Sequence, residues 1–294
     1  MKIVVTGSLG HISKPLAQTL VQKGHSVTVI SSNSQKEKDI QSLRAKAAIG
    51  SIDDADFLTA VFTGADIVYA MEPPIDFKNS DFRFWINAAN SYVHAIENSG
   101  VKQVVHLSSI GAHTETGNGL LRFHYQVENI FRRLLEDVAI KFMRPVGFYY
   151  NMFAFISAIK LQGAIVSNYG GDQKEPWVSP IDIALTIADE MEKPFDGREI
   201  LYIASDEASP NEVAVILGNA IGKPDLQWLV IPDEQLLNGL LSAGLTLQAA
   251  YGLVDMNAGR RTGVLYEDYY RHKPTLGKIK LRDFAKEFAT VFNQ

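Results

Sequence analysis

The chain has 294 residues, 46% of them hydrophobic and 21% charged, with no cysteine and a formal net charge of −5. Such a composition belongs to one large or two small folded domains. It excludes disulfides, thiolate metal ligands and a cysteine nucleophile, and the mild acidity speaks against nucleic acid as a direct partner.

The first apolar run, Ile3 to Thr6, stops at Gly7. It is too short for a signal-peptide core and is better used as a buried strand, so a cytoplasmic location is expected. Gly10 follows three residues later, then an apolar-periodic stretch through Leu16, Ala17, Leu20 and Val21. This predicts a strand, a tight glycine turn and a helix. A helix start carries unpaired N–H groups and the positive end of the dipole, and glycine lets a pyrophosphate approach without meeting a Cβ. The residues placed around a dinucleotide here are Gly7, Ser8, Leu9, Gly10, His11 and Ile12.

A second strand ends near Ser31, followed by a polar, Lys-rich loop and a short strand around Ala47 to Ile49. Asp53 or Asp54 is placed to cap the next helix, which carries Phe57, Leu58 and Val61. Asp66 to Met71 reads as a fourth strand, stopped by Pro73 and Pro74. A helix is expected from about Phe82 to Asn98, then a fifth strand over Gln103 to Ser108 and a sixth over Ile140 to Met143. Apolar strands alternating with helices predict an α/β fold: a doubly wound parallel sheet with helices on both faces. Ligands in such sheets sit at the carboxyl ends of the strands. That adds Ser31, Ser32, Asn33, Met71, Glu72, Pro73 and Ser108 to the expected cofactor contacts.

Past Pro145 the texture changes, and Phe148, Tyr149, Tyr150, Phe153 and Phe155 crowd together. Pro180-Ile181-Asp182 opens another helix, and Glu199 to Ala204 reads as a seventh strand returning to the sheet. The rest is expected to be mainly helical, with one extended piece near Trp228 to Ile231. The expected division is a Rossmann domain of residues 1–150 plus 178–204 and a smaller cleft lobe of residues 151–177 plus 205–294. Leu236 to Val254 carries no charge, but its polar and glycine residues interrupt it, so no membrane span is expected and a buried helical segment beside a pocket is the preferred reading.

TGSLGHIS at the first turn, GADIVYAMEP at the fourth strand and GVKQVVHLSSIGA at the fifth, with HYQVE, RPVGFYYN and SPIDIA further on, carry a resemblance through their order and spacing. The chain resembles the atypical short-chain dehydrogenase/reductases, and within them it is similar to the NmrA-like proteins. That resemblance implies a Rossmann-type domain binding NAD or NADP and a small lobe shaping a substrate cleft. NADPH-dependent quinone reductases, aromatic-ether and lignan reductases, and non-catalytic redox sensors all belong to such a family.

Against that family pattern the third glycine of the turn is Ser13. An NAD site places a carboxylate after the second strand, whereas Ser31, Ser32, Asn33 and Ser34 stand there, with Lys36 and Lys38 beyond. The missing acid favours NADP over NAD. Aligning on Glu128 puts His124 where the family's catalytic lysine stands and Leu120 where its tyrosine stands. Leucine donates no proton, so the tyrosine-dependent carbonyl reduction and sugar epimerisation lose support. His124 remains a cofactor contact or a proton donor near neutral pH, and Ser109 joins it as a second catalytic candidate. Phe148, Tyr149, Tyr150, Asn151 and Trp177 are the expected substrate-cleft residues: the aromatic ones, with Phe153, stack on a flat substrate or form lobe core, and Asn151 fixes the crossover into the small lobe or binds substrate. The histidines show no metal-ligand spacing, and no metal is expected. Two functions fit: an NADPH-dependent reductase of a planar acceptor such as a quinone, or a binding module that reports the NADPH/NADP ratio to a protein partner.

Overall fold

The computed structural model describes residues 1–74, 76–78 and 83–294. In chain order its elements are β1 (Lys2–Val5), α1 (Ser13–Gln22), β2 (Ser26–Ser31), α2 (Glu37–Ser42), β3 (Lys46–Ile49), α3 (Ala55–Phe62), β4 (Ile67–Ala70), α4 (Arg83–Ser99), β5 (Gln103–Leu107), α5 (Arg122–Phe131) and β6 (Ala139–Pro145). There follow β7 (Gly147–Phe148), α6 (Ile156–Gln162), β8 (Ala164–Ser167), β9 (Glu175–Val178), α7 (Pro180–Glu190), β10 (Arg198–Ile203), β11 (Asp206–Ala208), α8 (Pro210–Ala220), β12 (Gln227–Val230), α9 (Asp233–Ser242), α10 (Leu247–Thr262), α11 (Glu267–Arg271) and α12 (Leu281–Phe292).

Seven strands form one parallel sheet in the order β10-β6-β5-β4-β1-β2-β3. The chain leaves β1 toward β2 and β3 on one side and resumes with β4 on the other, so the order reverses between β1 and β4. A crevice opens at such a switch point, outside the strand ends. Side chains alternate across a strand. Ile3 and Val5 therefore join one core with Leu16 and Leu20 of α1 and Ile183 and Ile187 of α7. Val4, Val68 and Val104 join the other with Trp85 and Tyr92 of α4 and Phe131 of α5. A third core gathers Tyr149, Met152, Trp177, Leu217, Trp228, Phe284 and Phe288, around a three-stranded sheet β11-β9-β7 and a two-stranded one, β12-β8.

Several local expectations change. The stretch after β2 is not a plain loop: Asn33 Oδ1 accepts the Gln35 N–H at 2.9 Å, starting a 3-10 turn that runs into α2. Fully buried Ile40 anchors that helix. Asp54, not Asp53, caps α3, accepting the Phe57 N–H at 2.9 Å. Phe82, the expected start of the fourth helix, lies outside the described residues. The uncharged stretch from Leu236 to Val254 is two helices broken around Gly244, and α9 buries none of its residues. Its neighbour α10 buries one face, with Ala249, Ala250, Asn257 and Gly259, where glycines let it lie against the Gly117–Leu121 turn. A Cβ on Gly119 would stand 2.1 Å from the Gly252 carbonyl, and one on Gly259 would stand 2.0 Å from the Gly117 carbonyl. Among the described residues no helix is long and apolar enough to cross a membrane.

Candidate functional site

The crevice begins at the turn between β1 and α1. Gly7 has φ +83° and Ser8 φ +54°. The Ser8 N–H donates to the Ile30 carbonyl at 3.1 Å, and the Gly10 N–H donates to Gly7 at 3.2 Å. A Cβ on Gly7 would stand 2.2 Å from Met71 Sδ and 2.5 Å from Ser13 Oγ, so both conformation and space demand glycine. Gly10 is different: its Cβ would meet only the Gly7 carbonyl, at 3.1 Å, and otherwise points into open space. Leu9 and Ile12 turn inward onto the core, while His11 is exposed. No side chain caps the start of α1, and no acidic residue lies in its first turn. Within that turn the Lys14 N–H is taken by the Gly10 carbonyl and the Leu16 N–H by that of Ile12, each at 3.0 Å, and Pro15 has none, so what is left for an anion is the Ser13 N–H and the dipole.

At the end of β2, Ser31 is buried and accepts from the Ser8 hydroxyl at 2.9 Å and from the Asn33 N–H at 3.2 Å. Ser32 and Asn33 are exposed. The nearest following acids, Glu37 and Asp39, lie on α2, and Lys36 faces Asp39 at 3.7 Å.

At the end of β4 the Met71 N–H donates to Thr6 Oγ1 at 3.0 Å and its carbonyl accepts from Tyr92 at 2.9 Å. The Glu72 carboxylate is engaged inside the protein, 3.1 and 3.3 Å from His106 Nε2. The Trp85 indole N–H donates to the Pro73 carbonyl at 2.8 Å.

At the end of β5 the Ser108 hydroxyl is likewise committed, donating to Glu128 Oε1 at 2.6 Å; Ser109 beside it is partly buried. Glu128, 2% exposed, takes a two-pronged bond from Arg144, Nε to Oε1 at 2.8 Å and Nη2 to Oε2 at 2.7 Å. Arg144 Nη1 then donates to Asp268 at 3.0 Å and to the Tyr202 hydroxyl at 3.3 Å, and Tyr202 itself donates to Asp268 at 2.7 Å. Burial opposes the charge on Arg144, but the bonds and charge of Glu128 outweigh it and raise the pKa. Beside this network is a cavity of about 260 Å³, lined in part by His113, Tyr125, Asn129 and Arg132.

His124 stands on α5 with its ring against Phe123, centroids 3.9 Å apart, and with Nδ1 buried and without a partner. Burial, reinforced by the charges of His106 and Arg144, pushes its pKa down to about 3. The expectation of an imidazolium donor near neutral pH is corrected on that ground: the ring is neutral there. Leu120, expected at the position of the family's tyrosine, is buried against α10.

The aromatic segment divides. Tyr149 and Trp177 line no cleft. Tyr149 is 1% exposed, stacks on Phe284 and donates to the Ile279 carbonyl at 3.2 Å; Trp177 is 2% exposed and donates to the Ala208 carbonyl at 3.3 Å. Tyr150 instead stands beside the glycine turn, its ring 5.3 Å from His11 and 5.1 Å from Phe148. Burial pushes its hydroxyl up to about 12, so it stays protonated. Asn151 is exposed. Among the described residues no group of three His, Asp or Glu is placed to hold a metal.

Sequence reasoning passed over the Glu128–Arg144–Asp268 network and the Glu72–His106 pair. Each had a signal: an arginine inside the sixth strand and a histidine inside the fifth, both at positions where a buried polar group needs a partner.

The model of the NmrA-like family matches residues 1–260. Among solved structures, a triphenylmethane reductase from Citrobacter sp. superposes with a TM-score of 0.79 at 20% identity, covering 99% of this chain and 100% of that one. An NADPH-dependent quinone oxidoreductase from Escherichia coli, solved with NADPH, gives 0.81 at 18% identity, covering 97% and 99%. A nucleoside-diphosphate-sugar epimerase from Staphylococcus aureus gives 0.78 at 14%, covering 97% and 100%. No curated protein matches by sequence.

Proposed function

The chain belongs to the NmrA-like family, and from that premise we propose that it is an NADPH-dependent oxidoreductase acting on a small planar acceptor such as a quinone. The carrying observation is the open, uncapped start of α1 at the sheet's switch point, with the Tyr150 and Phe148 rings standing beside it. Two structural neighbours, a quinone oxidoreductase and a dye reductase, support the reading.

The residues present fit a dinucleotide. The Gly7 to Ile12 turn, the Ser13 N–H and the dipole of α1 hold the pyrophosphate, and Gly10 leaves room for it. Ser31, Ser32 and Asn33 face the adenosine ribose. The absence of a carboxylate there, with Lys36 and Lys38 close in sequence, favours the 2′-phosphate of NADP. Met71, Glu72 and Pro73 form the wall at the switch point through their backbone, since the Glu72 carboxylate is held by His106. Ser108, Ser109 and His124 stand at the nicotinamide end. When bound, the nicotinamide supplies a hydride.

The remaining work falls to positioning. His124, neutral, contacts the ribose or acceptor through its ring rather than as an acid. Ser109 donates a hydrogen bond to the acceptor oxygen. Phe148 and Tyr150 stack on a flat ring, while Asn151 borders the crossover. The product oxygen takes its proton from water. The test is NADPH oxidation by purified protein over a quinone and enone panel, with cofactor saturation followed by fluorescence in the same sample. Saturation without turnover on any acceptor overturns the proposal.

One observation favours a second reading. Neither Leu120 nor neutral His124 offers an acid at pH 7, which also suits a binding module for NADP(H) that signals to a protein partner. It requires NADPH and NADP⁺ to bind with different affinity, or a partner to bind one form preferentially. Equal affinities and no form-dependent partner overturn it.

A further inference from the structure

We propose that the small lobe carries an oxyanion site, separate from the glycine-turn crevice, with the guanidinium of Arg260 as its floor. A cavity of about 50 Å³ there is lined by Tyr169, Gly170, Lys174, Glu175, Arg260 and Arg261 among others, and by no residue of the glycine turn or of the parallel strands' ends. On the usual volume per buried water this is room for roughly three waters, or for one tetrahedral oxyanion.

Arg260 is held rigidly. Its Cζ lies 4.4 Å from the Tyr169 ring centroid and 5.0 Å from that of Trp177. Its Nε donates to Glu175 Oε2 at 2.9 Å and to the Tyr266 hydroxyl at 3.0 Å, and that hydroxyl donates to Glu175. These contacts hold the guanidinium against two aromatic rings and along its Nε edge. The two terminal nitrogens make no hydrogen bond among the described residues, nor are they among the buried polar atoms left without a partner, so they keep some exposure on a side chain that lines the cavity. A fixed fork of spare N–H donors is the arrangement that recognises phosphate and carboxylate oxygens, and prior ordering removes the entropy cost of forming it.

The charges agree with an anion. Lys174 and Arg261 stand at the rim, and their acidic partners, Glu212 at 3.6 Å and Asp233 at 2.7 Å, lie outside the lining. The one carboxylate in the lining, Glu175, is already answered by Arg260 and Tyr266. Its unpartnered Oε1 is enclosed by protein and does not present itself to the cavity. The ligand class is therefore an oxyanion: inorganic phosphate, or the phosphate group of a small ester.

Trp177 under the guanidinium makes the site readable by intrinsic fluorescence. Full-length protein is titrated with inorganic phosphate and, separately, with glycerol 3-phosphate, against chloride at matched ionic strength. A saturable change with phosphate, absent with chloride, is expected; a stronger response to the ester identifies the phosphate group of a metabolite as the ligand. Arg260→Lys keeps the charge but loses the fork, and should weaken binding about tenfold. Exposed Lys174→Ala should weaken it about threefold and decides the matter if Arg260→Lys does not fold. NADPH and phosphate should bind to the wild type without displacing each other. No saturable response to either anion, an undiminished response in Lys174→Ala, or displacement by NADPH overturns the proposal, the last by placing the anion at the glycine turn.

Discussion

Replacing Glu128 by alanine isolates the buried network at the end of β5. Glu128 is 2% exposed and Arg144 is 2% exposed, so removing the carboxylate leaves a guanidinium in the interior with Asp268 and Tyr202 as its remaining partners. Breaking a buried pair by deleting one member costs about 3–5 kcal/mol, chiefly because the survivor's charge is no longer compensated. The loss of the 2.6 Å acceptor for Ser108 adds to this. Asp268 offsets part of the penalty, which places the expected loss near 3 kcal/mol. At the usual unfolding entropy per residue, this corresponds to a Tm lower by roughly 5 °C for a chain of this size. Urea unfolding at constant m, with a thermal melt, measures it. The double variant Glu128→Leu with Arg144→Met should recover most of the loss, since apolar side chains of similar volume often replace a buried pair without penalty. A loss below about 1 kcal/mol in Glu128→Ala, or a double variant no better than the single one, would refute the view that compensation of Arg144 is what Glu128 supplies.

Other expectations follow from the same geometry. Gly10→Val should fold and yet lose NADPH binding at least tenfold in a fluorescence titration, because its side chain enters the open space over the turn, whereas Gly7→Ala should lower the melting temperature by colliding with Met71 and Ser13. His124 has a folded pKa near 3, below its ordinary 6.5, so the unfolded chain binds the extra proton between those values. The stability it contributes is therefore complete above pH 6.5 and lost as pH falls toward 3; His124→Gln should flatten urea-unfolding stability over that window, and an unchanged slope counts against burial of the neutral ring. Burial opposes it, but Tyr202 and Arg144 hold the Asp268 carboxyl below its ordinary 3.8, so its contribution is present above that value and lost as pH falls through the folded pKa. Asp268→Asn should reduce acid sensitivity below about pH 4 in the same assay. Tyr149→Ala should cost stability, whereas Tyr150→Ala should spare the melt and raise KM for a planar acceptor; the reverse pattern would place the cleft on the wrong side of this segment.

The parallel sheet was legible because its strands are short, β-branched apolar runs bounded by turn residues, and run length with those flanks distinguishes them from the longer amphipathic helices between. The glycine turn was legible because Gly7 answers a local backbone demand, a φ of +83°. The short helix after β2 was not: its only anchors are the Asn33 cap and a single apolar residue, Ile40, in an otherwise polar stretch. Nor was the packing partner of α10. There the signal is Gly252 and Gly259 meeting Gly117 and Gly119 from more than a hundred positions away, and glycine spacing within α10 does not name its partner. Tyr149 and Tyr150 mark the same limit at the site. They are adjacent and chemically identical, yet one packs on Phe284 and the other stands beside His11; only the direction of the chain after β7 separates them.

The polar residues near the strand ends narrow the chemistry further. Ser108 is committed to Glu128, Glu72 to His106, and His124 is held neutral by its surroundings. A carbonyl that must be protonated as hydride arrives therefore finds no strong acid among them at pH 7, while a quinone, whose reduced oxygens accept protons from water, does not require one. The rate with an enone should accordingly fall further behind that with a quinone of equal size than it does in a tyrosine-dependent reductase. Comparable kcat/KM values for the two acceptors would mean that an acid is present after all, and protonated Tyr150 beside the turn is the first residue to change in search of it.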